Sequence, residues 1–157
     1  MNARISGLDS QCASDVNKPS SSTSTYKALV ADGTNRIACA SANCATGGTA
    51  EQTDWVLKPN KEYRRTDGFI MIGTTTSSGI FTADLTNEVS TTVSGTSTIA
   101  TGLSANWTNN ANDCSNFTDS AGNVSNGNHL NKTIGTFLTV GNAGCANNSW
   151  KLVCVEQ

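Results

Sequence analysis

Apolar residues recur at intervals of three and four in ISGLDSQCASDV, where Ile5, Leu8, Cys12 and Val16 fall on one face. This spacing predicts a helix over residues 5–16, with Ser6 as its N-cap and Asp9 three residues on. Pro19 and the polar run NKPSSSTSTY end it, and YKALVADGTNRIAC reads as two strands around an Asp32-Gly33 turn. Short apolar pieces then follow at 55–57, Tyr63, 69–72 and 80–85, separated by Pro59-Asn60, Asp67-Gly68 and Ser78-Gly79. Turn signals so close together predict a β-rich unit. Beyond Thr86 the chain shifts to Ser, Thr, Gly and Asn, and twelve of the 43 residues from Asn106 to Asn148 are Asn. Long ordered loops are expected there, because Trp107, Cys114, Phe117, Phe137 and Cys145 interrupt the polar tract and can anchor it.

Composition changes this picture in one respect. Leu, Ile, Val and Phe supply only 28 of 157 residues, below the roughly 20% at which a packed core becomes hard to build. Disorder normally pairs such poverty with high net charge, yet here 10 basic and 12 acidic residues leave −2. Six cysteines compensate: there is no CxxC and a single histidine, His129, so the spacing favours disulfides over zinc and implies an oxidising compartment. One unit spanning residues 1–157 is the expected organisation, with no charge block or proline-rich linker to divide it. The acidic balance and the lack of a Lys/Arg stripe beyond Arg64 and Arg65 argue against nucleic acid or an anionic membrane as partner. No apolar run nears the roughly 20 residues of a bilayer span, so no membrane insertion is expected, and any export signal has already been removed.

Catalysis needs a nucleophile beside a base, or paired carboxylates, and neither is visible. His129 sits in NGNHLNK with no GxSxG elsewhere, which reads as a solvated loop side chain; the chain is expected not to be an enzyme. DSAGNVSNGN offers oxygen ligands but lacks EF-hand spacing, so no metal or cofactor is expected. N-x-[ST] matches at Asn106, Asn116, Asn123, Asn131 and Asn147 would be glycosylated only on a eukaryotic secretory route. Trp107 and Trp150 lie near Asn, Ser or Thr, the combination that stacks on sugar rings. Trp150 reads better as core, whereas Trp107 fits either role.

The segments SGLDSQC, YKALVADGTNRIAC, DWVLKPNKEYRRTDG, IGTTTSSGIF, ANWTNNANDCSNFTD and LVCVEQ occur in this order. Together they resemble a bacterial domain of unknown function found in spirochaetal surface proteins, the leptospiral endostatin-like family, related to tips of adhesive fibres. The resemblance implies an α+β, C-type-lectin-like fold of short antiparallel strands, one or two helices and long disulfide-tied loops, with the chain ends as neighbouring strands. It also implies the crosslinks Cys12–Cys154 and Cys114–Cys145, which leave Cys39–Cys44. Family members carry an apolar strand before the first helix, where only MNAR stands here; that strand is either missing or supplied by a neighbour. The Glu-Pro-Asn and Trp-Asn-Asp motifs of calcium-dependent lectins do not occur, so sugar binding through calcium is not implied.

The expected function is an extracellular or outer-surface adhesion module whose partner is a host or prey protein or glycan. Its contact surface is expected in three segments. The first holds Asn106, Trp107, Asn109, Asn110 and Asn112. The second holds Phe117, Asp119, Asn123, Asn126, Asn128 and His129. The third holds Asn142, Asn147 and Asn148. Two alternatives stand beside it: a structural cap on a homotrimeric fibre or lipoprotein, and a receptor diversified at its asparagines.

Overall fold

The structure is a computed structural model that describes residues 3–19, 23–91, 97–147 and 149–157. Helix α1 spans Arg4–Ala13 and buries Ile5, Leu8 and Cys12, the face expected from the spacing. It starts earlier and stops sooner than expected. Ala3 occupies the N-cap without a side-chain bond, and Ser6 sits inside the first turn, where its carbonyl accepts from Ser10 Oγ. Val16 lies beyond the helix at 94% exposure because the chain turns at Asp15, whose carboxylate accepts from the Asn17 backbone N–H.

Strand β1 (Tyr26–Ala28) pairs antiparallel with the last strand, β7 (Cys154–Glu156), with Lys27 opposite Val155. The chain stays buried through Ala31, and alternate side chains enter two cores. Tyr26, Ala28 and Val30 meet α1, Phe117 and Val124; Leu29 and Ala31 meet Trp55, Leu57, Ile72 and Phe81. A period of two that is apolar on both faces is what a segment between two cores requires. The Asp32 turn forms as expected, its carboxylate accepting from the backbone N–H groups of Thr34, Asn35 and Arg36. The second strand expected after it is replaced by isolated bridges from Ile37 to Thr53 and from Cys39 to Thr108.

Strands β2 (Glu62–Arg64) and β3 (Met71–Thr74) form the hairpin that Asp67-Gly68 signals, with a bulge between Tyr63 and Arg64. Residues 55–57 and 80–85 are not strands; their apolar side chains fill the larger core from irregular backbone. Arg36, 0% exposed, joins the elements at the base: it donates to both oxygens of Asp9 on α1, to the Ala28 carbonyl and to Asp54. Lys27 pairs with the other oxygen of Asp54.

The Asn-rich region departs most from expectation. Instead of loops alone it supplies two strands of the largest sheet among the described residues, ordered β4 (Thr98–Ala100), β5 (Asn123–Asn128) and β6 (Gly141–Gly144). NVSNGN forms its centre although Asn and Gly are poor strand formers, because tertiary contact decides at this strand. Gly127 passes so close to α3 (Ile134–Leu138) that a Cβ there would lie 1.8 Å from the Phe137 carbonyl oxygen. Cys114–Phe117, here α2, is one left-handed turn with φ from +51 to +59. Such backbone costs roughly 1–2 kcal/mol per residue; buried Phe117, a capping bond from Asn116 N–H to the Asp113 carboxylate and the Cys114–Cys145 bridge hold it.

All three crosslinks pair as the resemblance implied: Cys12–Cys154, Cys39–Cys44 and Cys114–Cys145. The molecule is thus a small α+β fold of short antiparallel strands and few helices tied by three disulfides. Beside Cys39–Cys44, Glu51 accepts from the Ser41 and Gly47 backbone N–H groups and the Ser41 hydroxyl. The Ser41 backbone bond, then its hydroxyl bond, lower the Glu51 pKa from 4.5 to about 2. A depressed carboxylate stabilises the fold above its ordinary pKa and loses that contribution as pH falls through the folded value. In thermal melts, Glu51→Gln should therefore be less stable than wild type at pH 7, with the gap closing towards pH 2; a constant gap would contradict this.

Candidate functional site

The predicted surface residues divide into three structural classes. Asn123 and Asn142 lie on the paired strands β5 and β6, and Asn112 joins them from irregular backbone: its carbonyl accepts from Ser125 N–H, and Asn142 lies opposite Ser125 in the β5–β6 register. The Cys145 N–H donates to the Gly122 carbonyl, and the Cys114–Cys145 bridge ties the same end of the sheet to the left-handed turn. Asn123, Asn142 and Asn147 are exposed, and Asp119 is partly so. Asn148 lies outside the described residues.

A second class faces inward, which corrects the expectation of a contact role for Trp107, Phe117, Asn126 and His129 and agrees with the core reading of Trp150. Trp107 is 1% exposed; its indole N–H donates to the Phe81 carbonyl at 2.7 Å and its ring meets Trp55 edge-on at 5.8 Å. It therefore fills the core rather than serving as a sugar platform. Phe117 is buried against α1, and Asn126 is buried in the central strand. His129, at 4% exposure, is a buried residue at the end of β5, its backbone N–H donating to the Ser97 carbonyl, not a solvated loop side chain. Trp150 is partly buried against the smaller core and donates to the Gly144 carbonyl at 3.3 Å.

The third class shapes the backbone. Asn106, Asn110, Asn128 and Asn147 each accept, through the side-chain oxygen, from the backbone N–H two residues on; Asn131 and Asp119 do the same. These are Asx turns, in which the side chain takes the place of a backbone partner. Three of the five N-x-[ST] matches, at Asn106, Asn131 and Asn147, have this geometry. With the carbonyl committed inward, an outside molecule meets mainly the amide N–H2 groups. Asn106 to Asn110 also separate from the rest of the surface: the Asn106 carbonyl accepts from Asn43 N–H, and Asn109 packs against Gly33. Asn109 Oδ1 is buried without a hydrogen-bond partner among the described residues.

Sequence reasoning missed a cleft between α1 and the left-handed turn, where Asp9, Asp54, Asn35, Ser115 and Asn116 meet. Its signal would have been the Asp32-Gly33 turn, which brings Asn35 and Arg36 back against α1. Within it, desolvation pulls the Asp54 pKa up but hydrogen bonds from Lys27 and Arg36 outweigh it, leaving the carboxyl below its ordinary range. The charge is thereby committed to the ion network. Among the described residues no group of three or more His, Cys, Asp or Glu is placed to hold a metal, and no helix is long and apolar enough to cross a membrane.

A family model described as "Protein of unknown function (DUF1554)" matches residues 2–134. The match takes in Cys12, Cys39, Cys44 and Cys114 and stops short of Cys145 and Cys154, the partners that close two of the three bridges. No curated protein and no solved structure matches the chain. With well over half its length matched, this chain belongs to the DUF1554 family.

Proposed function

We propose that the chain is an extracellular recognition module of C-type-lectin-like, endostatin-like architecture that binds a host or prey matrix protein, complement regulator or glycan. Its contact face is the end of the large sheet carrying Asn112, Asn123, Asn142 and Asn147, flanked by Asp119. The supporting observation is the Cys114–Cys145 bridge, which fastens this exposed polar end of the sheet to a left-handed turn. A polar surface that is already ordered loses little entropy on contact, and amide groups can serve many hydrogen-bonding partners. Binding at such a face needs no calcium.

The test is a screen against matrix proteins, complement factors and glycans, repeated with a chelator and with Asn123→Ala/Asn142→Ala. A ligand should survive the chelator and weaken at least about tenfold in the double variant, as expected for contacts near an interface centre. Failure of every ligand, with a stable trimer by solution mass, would replace this reading with a structural cap that acts by self-association.

A further inference from the structure

We infer that the groove between the last strand and the β2–β3 hairpin is a second binding surface, for an acidic polypeptide segment carrying alternate apolar side chains. The groove, about 1780 Å3, runs from the end of α1 along β7 to the hairpin and the stretch 89–91. That exceeds the roughly 300–1,000 Å3 of small-molecule sites and suits a chain-like occupant. Among the described residues predicted for recognition, His129 alone lines it, so this surface is distinct from the Asn-rich face.

Charge sets the occupant's sign. Lys18, Lys58, Lys61, Arg64, Arg65 and Lys151 line the groove, six of the chain's ten cations, against four of its twelve carboxylates. With Glu88, which pairs with Arg65, the groove carries +1 while the rest of the chain carries −3. Arg64 is engaged by Glu62 and Arg65 by Glu88. Lys58 and Lys61 are exposed and form no ion pair among the described residues. The sequence hides this grouping, because Lys18 and Lys151 reach the groove from opposite ends of the chain.

Apolar chemistry separates a polypeptide from a polyanion. Tyr63, Val89 and Val153 are partly buried at the groove, above Leu57, Ile72 and Phe81 of the larger core. A sulfated polysaccharide would leave the open parts of Tyr63, Val89 and Val153 without apolar cover, whereas an extended peptide puts alternate side chains onto them and turns its carboxylates to Lys58 and Lys61. The hairpin rim is rigid: Asp67 accepts from the Phe69 and Ile70 backbone N–H groups, and Arg64 donates to the Phe69 carbonyl at 3.0 Å.

The test uses fluorescein-labelled peptides of about twelve residues, alternating Glu and Val, with a Lys/Val peptide, an all-Glu peptide and heparin as comparisons. Fluorescence anisotropy at about 0.15 M ionic strength should show the Glu/Val peptide binding at least about tenfold more tightly than each comparison. Lys58→Glu/Lys61→Glu should remove most of that affinity with an unchanged melting temperature. Lys132→Glu, outside the groove, should leave it intact. No saturable binding, equal binding of the Lys/Val peptide, or indifference to the Lys58/Lys61 reversal overturns the inference. Equal binding by all-Glu peptide or heparin also overturns it, in favour of a general polyanion site. Because Asn123→Ala/Asn142→Ala should not affect this assay, failure of one surface does not imply failure of the other.

Discussion

Replacing Cys12 and Cys154 together by alanine should lower the melting temperature by about 10–20 °C. The bridge closes a loop of 142 residues, for which chain entropy predicts about 5 kcal/mol, and a chain of this size shifts by about 2–4 °C per kcal/mol. The other bridges set a graded control. Cys114–Cys145 spans 31 residues and should contribute about 3.5 kcal/mol; Cys39–Cys44 spans 5 and should contribute about 2 kcal/mol. Since domains are stable by about 5–15 kcal/mol in total, losing the first bridge puts the fold near its limit. Melting each double variant under non-reducing conditions checks the order. If Cys12→Ala/Cys154→Ala melts no lower than Cys39→Ala/Cys44→Ala, the end-to-end bridge is not what holds this core-poor chain together.

A dependence on crosslinks is legible in the sequence, because cysteine count and helix pattern are compositional or local signals; which cysteines pair follows from the family resemblance alone. Ile5, Leu8 and Cys12 declare a helical face by spacing alone, and Asp67-Gly68 declares its turn by backbone chemistry. The large sheet was not legible. NVSNGN has a single β-branched residue, and its place in the centre depends on Gly127 admitting the Phe137 carbonyl, a contact ten residues away that no periodicity encodes. Trp107 was ambiguous for a related reason: its polar neighbours in sequence are turn formers, while its neighbours in space are Trp55 and Phe81. Composition marks the asparagines as groups to offer a ligand, but at Asn106, Asn110, Asn128 and Asn147 the side-chain oxygen serves the residue's own turn. The lesson for the candidate face is geometric: Asn123 and Asn142 gain weight because they are exposed on paired strands, and Trp107 and Phe117 lose it because they are buried.

Arg36→Met should cost about 3 kcal/mol in chemical denaturation at pH 7. Removing one member of a buried ion pair usually costs about 3–5 kcal/mol because the other is left uncompensated; the lower end applies because the Asp9 and Asp54 side chains remain 21% and 40% exposed. Methionine fills most of the volume, so the loss reports charge and hydrogen bonding rather than a cavity. Arg36→Lys should fall between, since an ammonium keeps the charge but cannot reproduce the fork that grips both Asp9 oxygens, the Ala28 carbonyl and Asp54. Adding Asp9→Asn and Asp54→Asn to Arg36→Met should recover part of the loss, because the stranded charges go while Asp9's place still offers an acceptor to the Ala28 N–H. Acid sets the sign independently. The Asp54 pKa is lowered in the folded state, so its contribution is present above its ordinary range and fades as pH drops. The gap between wild type and Arg36→Met should narrow accordingly. A variant as stable as wild type at pH 7, or a gap that widens in acid, would mean that the packing of α1 onto β1, and not this ion network, fixes the N-terminal half of the fold.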